Sequence, residues 1–315
     1  MEKRTIVVAL GGNAISQQFE EGNITQQFAN TRASLKGVVE LLMKDYRVLI
    51  THGNGPQVGN ALIRVEEARH LVPTLPLGVI VADTEGGMGY MIEQCLQNKM
   101  HDRGIQKKVA TIVTQILVDP NDPSIKEPTK FVGPFFKKEE VEKLVKERGW
   151  QVKEDPGRGW RRVVPSPIPL EIVGKDVIRL LVENDIVVIA AGGGGVPVYI
   201  DPKNGWLEGL DAVIDKDLAS AVLGRDVGAQ ELMILTAVEK VALNFGKPNQ
   251  QFLDKMTVAE ARQYLQEGHF PAGSMGPKIK AAIKFLEEGG EKVIITSIEK
   301  SVEAANGQAG TVIVP

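Results

Sequence analysis

The distribution of apolar residues along the chain alternates between two periods. Residues 5–10, "TIVVAL", form a continuous apolar run, the pattern of a strand buried on both faces. Residues 25–44 carry Phe28, Leu35, Val38, Val39, Leu41 and Leu42 in a helical stripe. "RVLIT" (47–51) predicts a second strand, and Pro56 suits the first turn of a following helix. A helix is predicted near 85–103 and a strand over 109–118. This β–α alternation implies a mostly parallel sheet covered on both faces.

Residues 119–170 break the rhythm. They are rich in proline, glycine and charge, with one short charged helix near 138–148. So long an irregular stretch inside a compact domain is functional or a small subdomain. It is read as a lid-like protrusion within a single domain spanning 1–315. The alternation then resumes, with a helix near 171–183 and two strands around four glycines in 185–200. A helix near 215–224, a strand at 231–236, a helix from "GSMGPK" (273–278) to about 288, and strands at 292–296 and 311–314 follow. No fixed-period repeat or low-complexity tract is present.

The 315 residues carry a formal charge of −3, which gives no footprint of a nucleic-acid or membrane partner. No run of about 18 apolar residues suggests a bilayer span. The start, "MEKRTIVVAL", has too short an apolar run for a signal peptide. The single cysteine, Cys95, excludes an internal disulfide framework and fits a reducing cytoplasm. It falls in a predicted helix and reads as a buried, inert thiol. Four histidines without metal-ligand spacing do not make a zinc site, and no metal ligands are assigned. His52 reads as a residue that hydrogen-bonds to fix its loop.

Composition changes the picture through glycine. "GGN" (11–13), "HGNG" (52–55) and "GGGG" (192–195) all fall at predicted strand ends, where parallel sheets bind ligands. Glycine allows close backbone approach, and its N–H groups can cradle phosphate. Neither a P-loop nor a dinucleotide fingerprint is present, and no G-x-S-x-G motif supports acyl transfer. Lys278 lies at a predicted helix start, where its ammonium adds to free backbone N–H groups. Lys216 lies at another helix start, inside "VIDKD" (213–217), and Lys130, Arg161 and Arg162 lie in the protrusion. Thr84 is a candidate cap for the helix near 85–103. Glycine loops with scattered lysines suit phosphoryl transfer, where the protein positions the reactants and neutralises charge. An acceptor that is already an anion needs no general base.

"VALGGNAI" (8–15), "THGNGPQVG" (51–59), "PTKFVGPFF" (128–136), "GRGWRRVVPSP" (157–167), "GGGGVPV" (192–198), "AVIDKDLA" (212–219) and "GSMGPK" together resemble the carbamate kinases of the amino-acid kinase family. The match runs nearly end to end, in order. "PTK" with "GRGWRRV" separates this branch from acetylglutamate, glutamate, aspartate and UMP kinases. The resemblance implies a three-layer α/β/α sandwich around a mainly parallel central sheet, with a small protruding subdomain over the site, in a cytoplasmic homodimer. It implies reversible phosphoryl transfer between ATP and carbamate, giving ADP and carbamoyl phosphate, with magnesium held mainly through nucleotide phosphates. In this family the reaction often runs toward ATP in catabolism.

By the same analogy, Gly11, Gly12, Asn13, Gly53 and Asn54 hold the acceptor and the transferring group. Lys216 and Lys278 bind nucleotide phosphates, Asp217 orients the lysines, and Lys130 reaches in from the protrusion. Gly192, Gly193, Gly194, Thr236, Ala237, Val238 and Met275 line the nucleotide side. Asp215 is expected to cap the following helix. The chain departs from the family pattern at Thr84-Glu85-Gly86, where Ser-Gln-Gly is frequent, and at Ala237, where an aspartate is frequent. Two alternatives stand beside this reading: another small-carboxylate kinase of the same fold, or a sensor of carbamoyl phosphate or nucleotide without turnover.

Overall fold

The structure is a computed structural model; it describes residues 3–17, 20–155, 159–271 and 273–315, without the side chains of Asn13 and Pro134. Eight strands form the central sheet: β1 (Thr5–Leu10), β2 (Arg47–His52), β3 (Val109–Thr111), β4 (Val187–Ile189), β5 (Glu231–Thr236), β6 (Lys255–Thr257), β7 (Lys292–Ser297) and β8 (Thr311–Val314). Their spatial order is β6-β8-β7-β5-β1-β2-β4-β3. The six strands from β7 to β3 run parallel, and β8 pairs antiparallel with β7.

Alternation along each strand builds two core layers. From β1, Val7 and Ala9 join one buried cluster, with Leu49, Leu232 and Ile234, beneath the helices Lys216–Val227 and Met275–Glu287. Ile6, Val8 and Leu10 join the other, with Val48, Ile50 and Met233, beneath the helices Lys36–Met43 and Leu77–Asp102. Both faces of the sheet are therefore dry, and every position of β1 is buried. Each such aliphatic side chain contributes about 1.5–3 kcal/mol when fully buried.

Several elements differ from the sequence pattern. The stripe at 25–44 is two helices, Ile24–Ser34 and Lys36–Met43, broken at Leu35. Gly37 lies against Ser301, with an added Cβ only 2.6 Å from that side chain, so the break serves a close approach. The helix expected near 85–103 begins at Leu77, so Thr84 is interior and not a cap. Its hydroxyl hydrogen-bonds back to the carbonyls of Ile80 and Val81. The single strand expected over 109–118 is two: β3, and Gln115–Val118 in a separate sheet. Of the helix expected near 171–183, only Lys175–Glu183 is helical, and Pro169–Ile172 is a strand.

Within the 119–170 stretch, Lys130–Phe136, Gly159–Val164 and Gln151–Asp155 form their own three-stranded antiparallel sheet, and Lys138–Arg148 forms a helix beside it. Val132 and Val164 pack with Val58, Leu62, Ile80 and Val213 of the body. Arg148 pairs with Glu66 at 2.6 Å. Gly157 and Arg158 of "GRGWRRV" lie outside the described residues.

Candidate active site

Because β1, β2, β4 and β5 are parallel, their carboxyl ends meet at one edge of the sheet. There Gly53 N–H donates to Leu10 O at 3.0 Å, and Gly11 N–H donates to Leu235 O at 3.1 Å. An added Cβ at Gly11 would stand 2.7 Å from Leu235 O, so only glycine fits that turn. Gly12 opens a short 3-10 turn with nothing packed on its Cβ position. Gly11, Gly12, Gly53 and Asn54 are thus brought together.

The Lys216–Val227 helix starts beside these loops. A buried hydroxyl pair, Thr51 with Ser220 at 2.7 Å, ties it to the end of β2. Asp215 is its N-cap, accepting from the N–H groups of Asp217 at 3.0 Å and Leu218 at 3.3 Å. The other oxygen of Asp215 receives Lys130 Nζ at 3.3 Å. Asp217 is buried, with Lys216 Nζ at 2.5 Å on one oxygen and Lys278 Nζ at 2.9 Å on the other. Three ammonium groups thus face two carboxylates at a helix N-terminus, where the backbone adds further positive character. The arrangement carries one more ammonium than carboxylate.

Burial pushes the Asp217 carboxyl up, but Lys216 and Lys278 outweigh it and hold it at about 2. Burial also lowers the Lys216 ammonium from its ordinary value; Asp217 opposes this and Lys278 adds to it. His52 is fully buried, which lowers it to about 4 against the pull of the Gly53 carbonyl. It is therefore a neutral ring, with Nδ1 3.2 Å from Gly53 O.

A cavity of about 310 Å³ lies beyond the end of β5. Thr236, Ala237, Val238, Met275 and Lys278, all expected on the nucleotide side, line it. Phe245 and Phe270 also line it, and the sequence reading missed both. Phe245 is 60% exposed between Asn244 and Gly246, which both have positive φ. An aromatic beside a turn glycine was the available signal.

Gly192, Gly193 and Gly194 do not line this cavity, contrary to expectation. They are buried, and protein fills the space where their Cβ atoms would be. An added Cβ would stand 2.3 Å from His52 Nε2 at Gly192, 2.0 Å from Asn54 Nδ2 at Gly193 and 2.3 Å from Ile214 O at Gly194. Gly193 and Gly194 also have φ of 65° and 97°. The tetraglycine wedges the His52–Asn54 turn against the run leading to Lys216. Asn54 is further fixed by donating from Nδ2 to Thr84 Oγ1 at 3.0 Å.

Arg161 serves the protrusion itself, and Arg162 also pairs with Asp211 of the body at 3.8 Å. Arg161 donates to Gly133 O and lies over Phe135. Arg162 and Arg148 both lie over Trp150, at 5.0 and 4.9 Å from its centre. Cys95 is buried and its thiol is pushed up by that burial.

Residues 4–297 match the model of the amino acid kinase family. The chain belongs to that family. Among its relatives, the carbamate kinase of Pyrococcus furiosus is 49% identical over 317 residues, covering 100% of both chains. The carbamate kinase-like protein YahI of Escherichia coli is 48% identical, covering 99% of each. The structure of Giardia lamblia carbamate kinase bound to AMP-PNP superposes with a TM-score of 0.93 at 41% identity, covering 99% of this chain and 98% of that one. The chain is thus a kinase, a phosphotransferase.

Proposed function

We propose that this kinase transfers a phosphoryl group reversibly between ATP and carbamate, giving ADP and carbamoyl phosphate. The observation that carries the reading is Asp217, which holds Lys216 and Lys278 on its two oxygens at 2.5 and 2.9 Å. ATP enters with its base toward the cavity lined by Phe245 and Phe270 and its phosphates toward Lys278. Acceptor oxygens meet the turn of Gly11, Gly12, Gly53 and Asn54. The side chain of Asn13, assigned to the same turn, lies outside the described side chains.

In phosphoryl transfer the protein's tasks are alignment and stabilisation of charge on the moving group. Lys216 and Lys278 are held before substrate arrives, so their reorganisation adds little to the barrier. Carbamate is an anion and attacks without losing a proton. The neutral ring of His52 is consistent with that, since it is already committed to Gly53.

Magnesium fits as a companion of the nucleotide. Asp217 is occupied by two ammonium groups and Asp215 by its cap and Lys130, which leaves the nucleotide's phosphates as the donors. When bound, the ion adds charge neutralisation. The strands at 130–164 are assigned a lid role because they carry Lys130 to Asp215. A homodimer is supported by exposed apolar side chains on neighbouring elements: Leu170, Val173, Val177 and Leu180, and Ile200 with Leu207. The cytoplasm is the assigned compartment.

An assay of ATP formation from carbamoyl phosphate and ADP tests the reading directly. Coupled ADP-release assays on carbamate, acetylglutamate, glutamate and aspartate complete it. Turnover on an amino acid with none on carbamate would overturn the acceptor. Calorimetric binding of carbamoyl phosphate with no transfer would make the chain a sensor.

A further inference from the structure

Glu85 is 2% exposed in the middle of the Leu77–Asp102 helix, yet no cation lies within 4 Å of it among the described residues. Its Oε2 accepts from Thr114 N–H at 3.0 Å. The Gly192 N–H also faces the carboxyl, but Oε1 is buried and makes no well-formed hydrogen bond. Its Cγ stands 2.8 Å from the point where Gly192 would carry a Cβ, and His52 Nε2 stands 2.3 Å from the same point. Glu85 and His52 therefore pinch the first glycine of the wedge from two sides. An ionised carboxylate here would be dry and unpaired, which a protein avoids by keeping the group protonated.

We propose that Glu85 is a positioning residue that works as a neutral carboxylic acid, holding Gly192 and Thr114 so that the tetraglycine keeps the His52–Asn54 turn in shape, and that its ionisation sets an alkaline limit on phosphoryl transfer. Burial pushes the Glu85 carboxyl up to about 8 against the two backbone N–H groups, which agrees with that geometry. The groups around it leave this unopposed. His52, at the end of β2, is neutral. Lys216, on the helix behind, is held by Asp217. Thr114 and the glycines carry no charge. On its own helix, Asp83 is exposed and Glu93 accepts from the Thr111 hydroxyl. Above the midpoint the new charge draws water toward Oε1, the pinch on Gly192 loosens, and Asn54 loses its backing from Gly193.

The activity part of this inference rests on the carbamate reading, so the test has an arm that does not. The first arm is the pH profile of kcat and KM with carbamoyl phosphate and ADP between pH 6 and 9. The wild type should lose kcat/KM above about pH 8, approaching tenfold per pH unit as expected for one ionisation. Glu85→Gln, which cannot ionise, should lack that limb. Glu85→Ala should lower kcat/KM roughly ten- to hundredfold at every pH, the scale of a displaced loop. The second arm follows the backbone amide resonances of Gly192 and Asn54 with pH. They should move together near pH 8 in the wild type and stay still in Glu85→Gln. Coincident alkaline limbs for wild type and Glu85→Gln overturn the proposal. So do amides that do not titrate, or that titrate equally in both proteins. If carbamoyl phosphate is not turned over but the amides titrate only in the wild type, the acceptor assignment fails and the Glu85 assignment stands.

Discussion

Two sets of charged residues converge on this site, and they are held in opposite ways. Lys216, Asp217 and Lys278 are almost closed to solvent, at 11, 5 and 16% side-chain exposure. Lys130 is 38% exposed, stands on the first residue of a strand in a separate small sheet, and touches the body's charges through one 3.3 Å contact to Asp215. Buried ammonium groups need a buried carboxylate to keep their charge, and Asp217 supplies it for both. A half-exposed ammonium keeps its charge through water. The first set is fixed charge and the second is charge that the protrusion delivers. On the proposed reading, the difference separates groups held in place throughout from one whose position follows the protrusion.

The comparison breaks most readily at the buried set. Lys216→Ala or Lys278→Ala should lower kcat on the order of 10²–10³-fold, the usual scale for removing one electrostatic stabiliser. A loss below about threefold would demote that lysine to a bystander. Lys130→Ala should also lower kcat, by a smaller factor, and leave Tm within about 2 °C, since an exposed pair contributes roughly 0–1 kcal/mol. A large drop in Tm would instead make Lys130 a structural strut.

Asp215 sharpens the contrast because it joins both sets. Asp215→Asn keeps a good N-cap and removes the charge that meets Lys130; Asp215→Ala removes both. The alanine form should lose about 1 kcal/mol of stability and the asparagine form only a few tenths. An asparagine form that is stable yet as inactive as Lys216→Ala would place Asp215 with the buried set.

A separate effect is on stability against pH. Asp217 sits at about 2 when folded against an ordinary 3.8. Its contribution is present above 3.8 and is lost as pH falls through 2. His52, lowered to about 4 from 6.5, likewise favours the fold at higher pH, with its effect complete above 6.5. Glu85 is raised from 4.5 to about 8, so the folded state holds a proton that the unfolded chain releases. The Glu85 contribution to stability therefore declines as pH rises from 4.5 to 8, offset by His52 up to 6.5. Between 6.5 and 8 only Glu85 of these three acts, at about 1.4 kcal/mol per pH unit. Wild type should lose roughly 2 °C of Tm per unit there relative to Glu85→Gln. Parallel melting curves across that window would remove Glu85 from this account.

The buried strands were legible because runs such as "TIVVAL" must be dry on both faces, and β1, β2 and β5 lie where that rule puts them. The lysines were legible because helix-start chemistry drew Lys216 and Lys278 toward anions, and Asp217 joins them in space across 61 residues. The failures have one cause. Missing side-chain volume is visible in a sequence, but what fills the space is not. The four glycines read as room for a ligand, whereas His52, Asn54, Ile214 and Ile116 stand where their Cβ atoms would be. Likewise 109–118 reads as one apolar strand because nothing local shows that Thr114 N–H is taken by Glu85, 29 positions earlier. Phe245 was missed because a lone exposed aromatic carries no period.

The sheet order also bears on how the molecule is assembled on the ribosome. β6 touches the sheet only through β8, which lies between β6 and β7. The turns of Gly11 and Gly53 depend on β1, β2 and β4, whose partners have all emerged by residue 189, apart from the seam to β5. The cavity beyond β5 is walled by residues 236–278, just around β6, which stays unpaired until Thr311–Val314 is made. The chain should therefore form its glycine turns first and complete the wall of this cavity only once β8 pairs, giving a window in which one exists without the other.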